Sequence, residues 1–134
     1  MSRLPELANT LKHSALVSSL AFTRDASRLL TTDVHAYTLR WWDVAQRQQL
    51  DEFPGPKGSA WCIALTRDGK TAAVGGTDRN VRLWDLATHQ VQLFPPAHEW
   101  VVECVAFSPD ERFLATGGRD GKACLWDVSS RRLL

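Results

Sequence analysis

Three stretches of this chain end in the same tryptophan–aspartate pair at one fixed interval. LRWWD closes at Asp43, NVRLWD at Asp85 and KACLWD at Asp127, each 42 residues after the last. A second marker keeps this phase: FTRD, LTRD and FSPD end at Asp25, Asp68 and Asp110, at intervals of 43 and 42. A period of this length means one supersecondary unit copied along the chain. Such a unit cannot bury its apolar side alone and does so against its neighbour.

Inside each unit the pattern is that of strands. LVSSLAF (16–22), AWCIAL (60–65) and VVECVAF (101–107) precede the first aspartate turn, and RLLTT (28–32), TAAVGG (71–76) and RFLATGG (112–118) follow it. The tryptophan-bearing runs come third, and QQLDEF (48–53), QVQLF (90–94) and RRLL (131–134) form a weaker fourth set. All are of strand length and bounded by turn residues such as Asp68-Gly69, Pro109-Asp110 and Asp120-Gly121. No helix-length window keeps a three-to-four residue apolar spacing. Four short antiparallel strands per unit is the layout of a propeller blade.

Composition narrows the function classes. Of 134 residues, 44% are hydrophobic, which gives a globular chain with a sizeable core. The 16 basic and 15 acidic side chains leave a formal charge of +1, so nothing pulls the chain toward nucleic acid or an anionic membrane. No apolar run approaches the roughly 18 residues of a membrane span, and MSRLPELANT has no secretory apolar core. Cys62, Cys104 and Cys124 lack zinc-type spacing and read as reduced thiols in a cytoplasmic protein, or a nuclear one in a eukaryote. Asp33 and His35 have no third metal ligand nearby and read as a loop, so no metal or cofactor is expected. Gly75-Gly76 and Gly117-Gly118 precede no helix, so they mark close backbone approach rather than a phosphate cradle.

From about Leu11 onward the chain resembles the WD40-repeat β-propeller family, and AHEWVVECVAFSPDERFLATGGRDGKACLWD follows the family pattern almost throughout. The resemblance implies an all-β fold: a partial β-propeller of three four-stranded antiparallel blades, an open and incomplete ring. Residues 13–54, 55–96 and 97–134 are the three blade repeats, the last with a truncated outer strand. Residues 1–12 are the leading outer strand and loop of a neighbouring or closing blade, since LANTLKH mirrors QLFPPAH.

The resemblance also implies a buried network of His, Ser or Thr, Asp and Trp in each blade. The third unit supplies His98, Thr116, Asp120 and Trp126. The second keeps Asp78 and Trp84, with Pro56 and Val74 at the histidine and hydroxyl positions. The first keeps His13, Thr31 and Trp42, while an extra residue in TDVHAY puts His35 or Ala36 at the aspartate position. Each buried polar group is costly alone and acceptable in company. His98, Thr116 and Asp120 also invite comparison with a catalytic triad, but a nucleophile needs exposure beside a substrate and these groups are expected between strands. No catalytic residue is assigned. Asp43, Asp85 and Asp127 are expected to accept backbone N–H groups in the turns after their strands.

Three blades leave two apolar sheet faces uncovered, because propeller rings take about four to eight. Three accounts stay open: further blades elsewhere in a longer chain, several copies assembling, or a free-standing open stack. The expected function is a non-catalytic scaffold whose rim binds a peptide or protein, with Trp61, Trp100, Glu103 and Arg119 as the candidate rim. Trp61 and Glu103 stand 42 apart at a strand bulge, Trp100 is surplus to the apolar core pattern, and Arg119 precedes the network aspartate. The bland alternative has the tryptophans merely covering neighbouring blades. The alternative function is a regulatory or targeting portion of an enzyme whose catalytic part lies outside this chain. Partners are therefore proteins, peptides or further blades, including copies of this chain, with neither nucleic acid nor membrane among them.

Overall fold

The computed structural model describes residues 10–13, 15–34, 38–53, 58 and 60–134. Among the described residues twelve strands make three four-stranded antiparallel sheets, each connected in simple succession. The first sheet holds β1 (Val17–Phe22), β2 (Arg28–Asp33), β3 (Leu39–Asp43) and β4 (Gln48–Phe53). The second holds β5 (Ala60–Leu65), β6 (Thr71–Gly76), β7 (Val81–Asp85) and β8 (Val91–Leu93). The third holds β9 (Val102–Phe107), β10 (Phe113–Gly118), β11 (Ala123–Asp127) and β12 (Arg132–Leu133). No described residue is helical. Of the leading segment only residues 10–12 are described, without strand structure, and residues 1–9 lie outside the described set.

The short turns follow from local chemistry. Asp25, Asp68 and Asp110 each accept a hydroxyl from two residues back and a backbone N–H from two residues ahead, at 2.7–3.1 Å. The Ser27 N–H with the Thr23 and Ser27 hydroxyls holds Asp25 down at about 2. The next residue takes a positive φ in every copy: Ala26 at 58°, Gly69 at 69° and Glu111 at 60°. Asp43, Asp85 and Asp127 close the outer turns by accepting N–H groups from Gln46, from Ala87 and Thr88, and from Ser130.

Two apolar cores lie between the sheets. Leu30, Leu39, Trp41 and Phe53 of the first sheet meet Ala60, Ile63, Ala72, Val74 and Trp84 of the second, with Ala21 and Leu65 packed alongside. Cys62, Ala73, Val81 and Leu83 on the opposite face of the second sheet meet Val102, Leu114 and Trp126 of the third, with Ala64, Val105 and Phe107 alongside. The alternation of side chains along a strand makes this possible: residues at odd and even positions serve different neighbours. The innermost strands β1, β5 and β9 lie side by side.

Candidate protein-interaction rim

In the first and third blades the network joins a threonine of the second strand to a tryptophan two ladder positions along the third strand and to a histidine ahead of the first. In the third blade the Trp126 indole N–H donates to Thr116 Oγ1 at 3.1 Å, and His98 Nε2 meets the same hydroxyl at 2.8 Å. His98 Nδ1 lies 3.1 Å from Asp120 Oδ2, with both side chains almost wholly buried. Burial pushes the Asp120 carboxyl up, but the N–H groups of Glu99 and Lys122 and the His98 ring more than reverse it, leaving about 2. Gly118 makes room for this arrangement: a Cβ there would stand 2.5 Å from His98 Nδ1 and 2.7 Å from Asp120 Oδ1.

The first blade repeats half of this. His13 Nε2 lies 2.6 Å from Thr31 Oγ1, which accepts the Trp42 indole N–H at 2.9 Å. In the second blade the buried Trp84 indole nitrogen has no hydrogen-bond partner among the described residues. Asp78 is bound instead by Arg82 and by the Asn80 side chain. His35, Ala36 and Pro56 lie outside the described residues.

Two findings correct or extend the sequence reading. Asp33 is not in a loop: it ends β2, is fully buried and pairs with Arg40, which also reaches Glu52 at 3.2 Å. Arg40 and Arg82 then occupy one register position, opposite Thr31 and Val74, where the third blade has Cys124 opposite Thr116. A buried arginine serves the aspartate in blades one and two, and a histidine does so in blade three. The 42-residue spacing of these arginines was a signal available in the sequence.

Three of the four candidate rim residues touch one another. The strand registers shift around residues 18, 61 and 103, so Ser18, Trp61 and Glu103 are the bulged residues of β1, β5 and β9. A bulge re-aims its side chain out of the ladder. The Trp61 indole N–H donates to Glu103 Oε2 at 2.8 Å across the second and third blades. Arg119 Nε donates to Glu103 Oε1, and the guanidinium carbon lies 5.5 Å from the Trp61 ring centre. Trp100 stands apart in a bend, 64% exposed. Its flanks are anchored: Glu99 donates its N–H to Asp120 at 2.9 Å, and Val101 O accepts the Arg119 N–H at 2.9 Å. The buried network therefore holds the exposed tryptophan in place.

Nothing in this arrangement resembles a poised nucleophile. The Thr116 hydroxyl is buried and shared by two nitrogens. Burial pushes the Cys62 thiol up to about 12 and raises Cys124 as well. Among the described residues no three His, Cys, Asp or Glu side chains group as metal ligands, and no helix is long and apolar enough to cross a membrane.

Residues 47–85 and 89–127, together over half of the chain, match the family model described as WD domain, G-beta repeat. The chain belongs to the WD40 repeat family. Among curated proteins no sequence matches this WD40 chain. Two similar solved structures are titled "Structure of U3-55K" and "Crystal structure of RRP9 WD40 repeats". Each superposes with a TM-score of 0.83 at 22% identity over 92% of this chain, which shows the shared fold. The chain spans 39% and 38% of their lengths. Both matched WD40 segments end at the tryptophan–aspartate pairs of β7 and β11.

Proposed function

We propose that this WD40 chain is a non-catalytic interaction module that binds a peptide or protein segment across the rim formed by Trp61, Trp100, Glu103 and Arg119. The observation that carries this reading is Trp100, a large exposed indole whose two flanking residues are fixed by the buried Asp120 and by Arg119. An aromatic held rigidly in solvent loses little freedom on binding, and tryptophan and arginine dominate interface energetics. Trp61 and Glu103 form a partly buried pair joined to this segment through Arg119, whose guanidinium lies over the Trp61 indole and whose backbone N–H meets Val101 O.

A random peptide library displayed on phage, selected against the purified chain, tests the reading. Selected peptides should bind with a change in tryptophan fluorescence. Trp100→Ala and Arg119→Ala should each weaken binding roughly tenfold or more while leaving the β circular dichroism intact. Affinities unchanged in both variants would place the binding surface elsewhere and end this assignment.

A further inference from the structure

We infer that the junction of blades one and two carries a second docking site, away from the rim, which takes a carboxylate side chain of an acidic peptide segment. In blade two Trp61 lies beside the paired Ala60 and Gly76, whereas Gly69 lies in the turn beyond the paired Leu65 and Ala72. The site is therefore at the opposite end of the sheet from Trp61. An open cavity of about 620 Å³ lies there, lined by Arg24, Arg28, Trp41, Arg67 and Gly69.

The junction of blades two and three shows what this position holds. There the Glu111 carboxylate, from the turn between β9 and β10, accepts the backbone N–H of Arg67 in the turn of blade two. Arg24 and Arg67 each precede a turn aspartate, and Gly69 and Glu111 each follow one. Gly69 and Arg24 are thus the matching pair at the first junction, and there the carboxylate is replaced by glycine. Residue 69 does face the turn of blade one: a Cβ on it would stand 3.3 Å from Thr23 Cγ2. The Arg24 N–H has no hydrogen-bond partner among the described residues. Backbone geometry does not demand the glycine, because Ala26 and Glu111 hold φ of 58° and 60° where Gly69 has 69°.

Charge selects the occupant. Among the described residues none of the Arg24, Arg28 and Arg67 guanidinium groups pairs with a carboxylate. Asp25 and Asp68 also line the cavity, but each is folded into its own turn, on Thr23 and Ser27 and on Thr66 and Lys70. Three cations against two engaged anions leave one positive charge in excess. A guanidinium holds both oxygens of a carboxylate, and the Arg24 N–H adds a donor from the backbone. Phosphate could use the same donors; the choice of carboxylate rests on Glu111, which fills the equivalent position with one.

Fluorescein-labelled hexaglutamate, titrated into the full chain at low salt and followed by anisotropy, should bind, and hexaglutamine should not. Binding should shift the Arg24 amide proton resonance. Gly69→Glu should abolish binding by supplying the carboxylate internally, and should shift the same resonance without peptide. Arg67→Gln alters an exposed side chain and should weaken binding roughly tenfold or more, the worth of one charge-assisted hydrogen bond. Gln92→Glu adds an equal negative charge on the exposed strand β8 and should leave binding unchanged. A native chain that does not bind hexaglutamate, binding that leaves the Arg24 resonance in place, or native affinity in Arg67→Gln or in folded Gly69→Glu would each overturn the proposal. So would an equal loss in Gln92→Glu, which would reduce the effect to overall charge. A hexaserine peptide with one phosphoserine that binds more tightly than hexaglutamate would assign the site to phosphate and overturn it as well.

Discussion

Val74 stands, relative to Trp84, where Thr31 stands relative to Trp42 and Thr116 relative to Trp126. Those two threonines accept an indole N–H, and valine leaves the Trp84 N–H buried without a partner among the described residues. A buried donor left unsatisfied costs about 1–3 kcal/mol. Val74→Thr should therefore raise stability, by no more than about 1 kcal/mol because Pro56 stands at the histidine position and the new hydroxyl's own proton gains no imidazole. The reverse exchange, Thr116→Val, deprives both Trp126 and His98 of a partner and should cost about 2–3 kcal/mol. Urea midpoints read both effects, and a destabilised Val74→Thr would show that steric fit outweighs satisfaction at this site.

Gly118→Ala tests whether backbone clearance holds the network of the third blade. The new methyl would lie inside the contact distance of both His98 Nδ1 and Asp120 Oδ1, so one of them must move. Overpacking of this kind costs about 1–3 kcal/mol. Moving Asp120 also releases the Glu99 N–H that fixes one flank of Trp100. The expected result is a lower urea midpoint together with lower fluorescence anisotropy of Trp100, measured in a background where that signal is isolated. Unchanged anisotropy would separate the rim from the network.

Acid should attack the turns and this network over a defined range. Asp25 and Asp120 are both lowered from 3.8 to about 2, and Asp68, Asp85, Asp110 and Asp127 are lowered as well. A carboxyl whose folded pKa is depressed stabilises the fold above its unfolded pKa and loses that contribution as pH falls through the folded value. Stability should be level above pH 4 and should fall steadily between about pH 4 and pH 2. Asp120→Asn should show a shallower fall over the same range, measured by thermal melts at stepped pH.

Much of the architecture is legible in the sequence because the repeat forces it. A strand pattern fixed in one unit is fixed in three, and the positions of Trp42, Trp84 and Trp126 relative to their neighbouring strands follow from the 42-residue register. The contacts among Trp61, Glu103 and Arg119 were partly visible as matched bulge positions. The pairing of Asp33 with Arg40 was hidden by the extra residue in the first unit's turn, which shifted the acid out of phase. Sequence spacing cannot show that a carboxylate two places early still reaches a cation on the next strand. The division of labour between the two rim tryptophans was equally invisible, since it depends on which indole finds an acceptor.

That division gives the last prediction. Trp61 spans two blades, with its ring beneath Arg119 and its N–H on Glu103, whereas Trp100 is exposed and outside both apolar cores. Trp61→Phe removes the N–H and keeps much of the ring, and should lower stability by about 0.5–1.5 kcal/mol, the net worth of one such hydrogen bond. A double-mutant cycle with Glu103→Gln should show coupling of at least about 0.5 kcal/mol, as expected for side chains in direct contact. Trp100→Ala should change stability by no more than about 0.5 kcal/mol, because exposed substitutions away from buried features rarely do more. A surface kept for binding should show this contrast: one indole whose loss weakens the scaffold, and a neighbour whose loss leaves the scaffold intact and removes the ligand. Equal stability losses in the two variants would mean that Trp100 serves the fold after all.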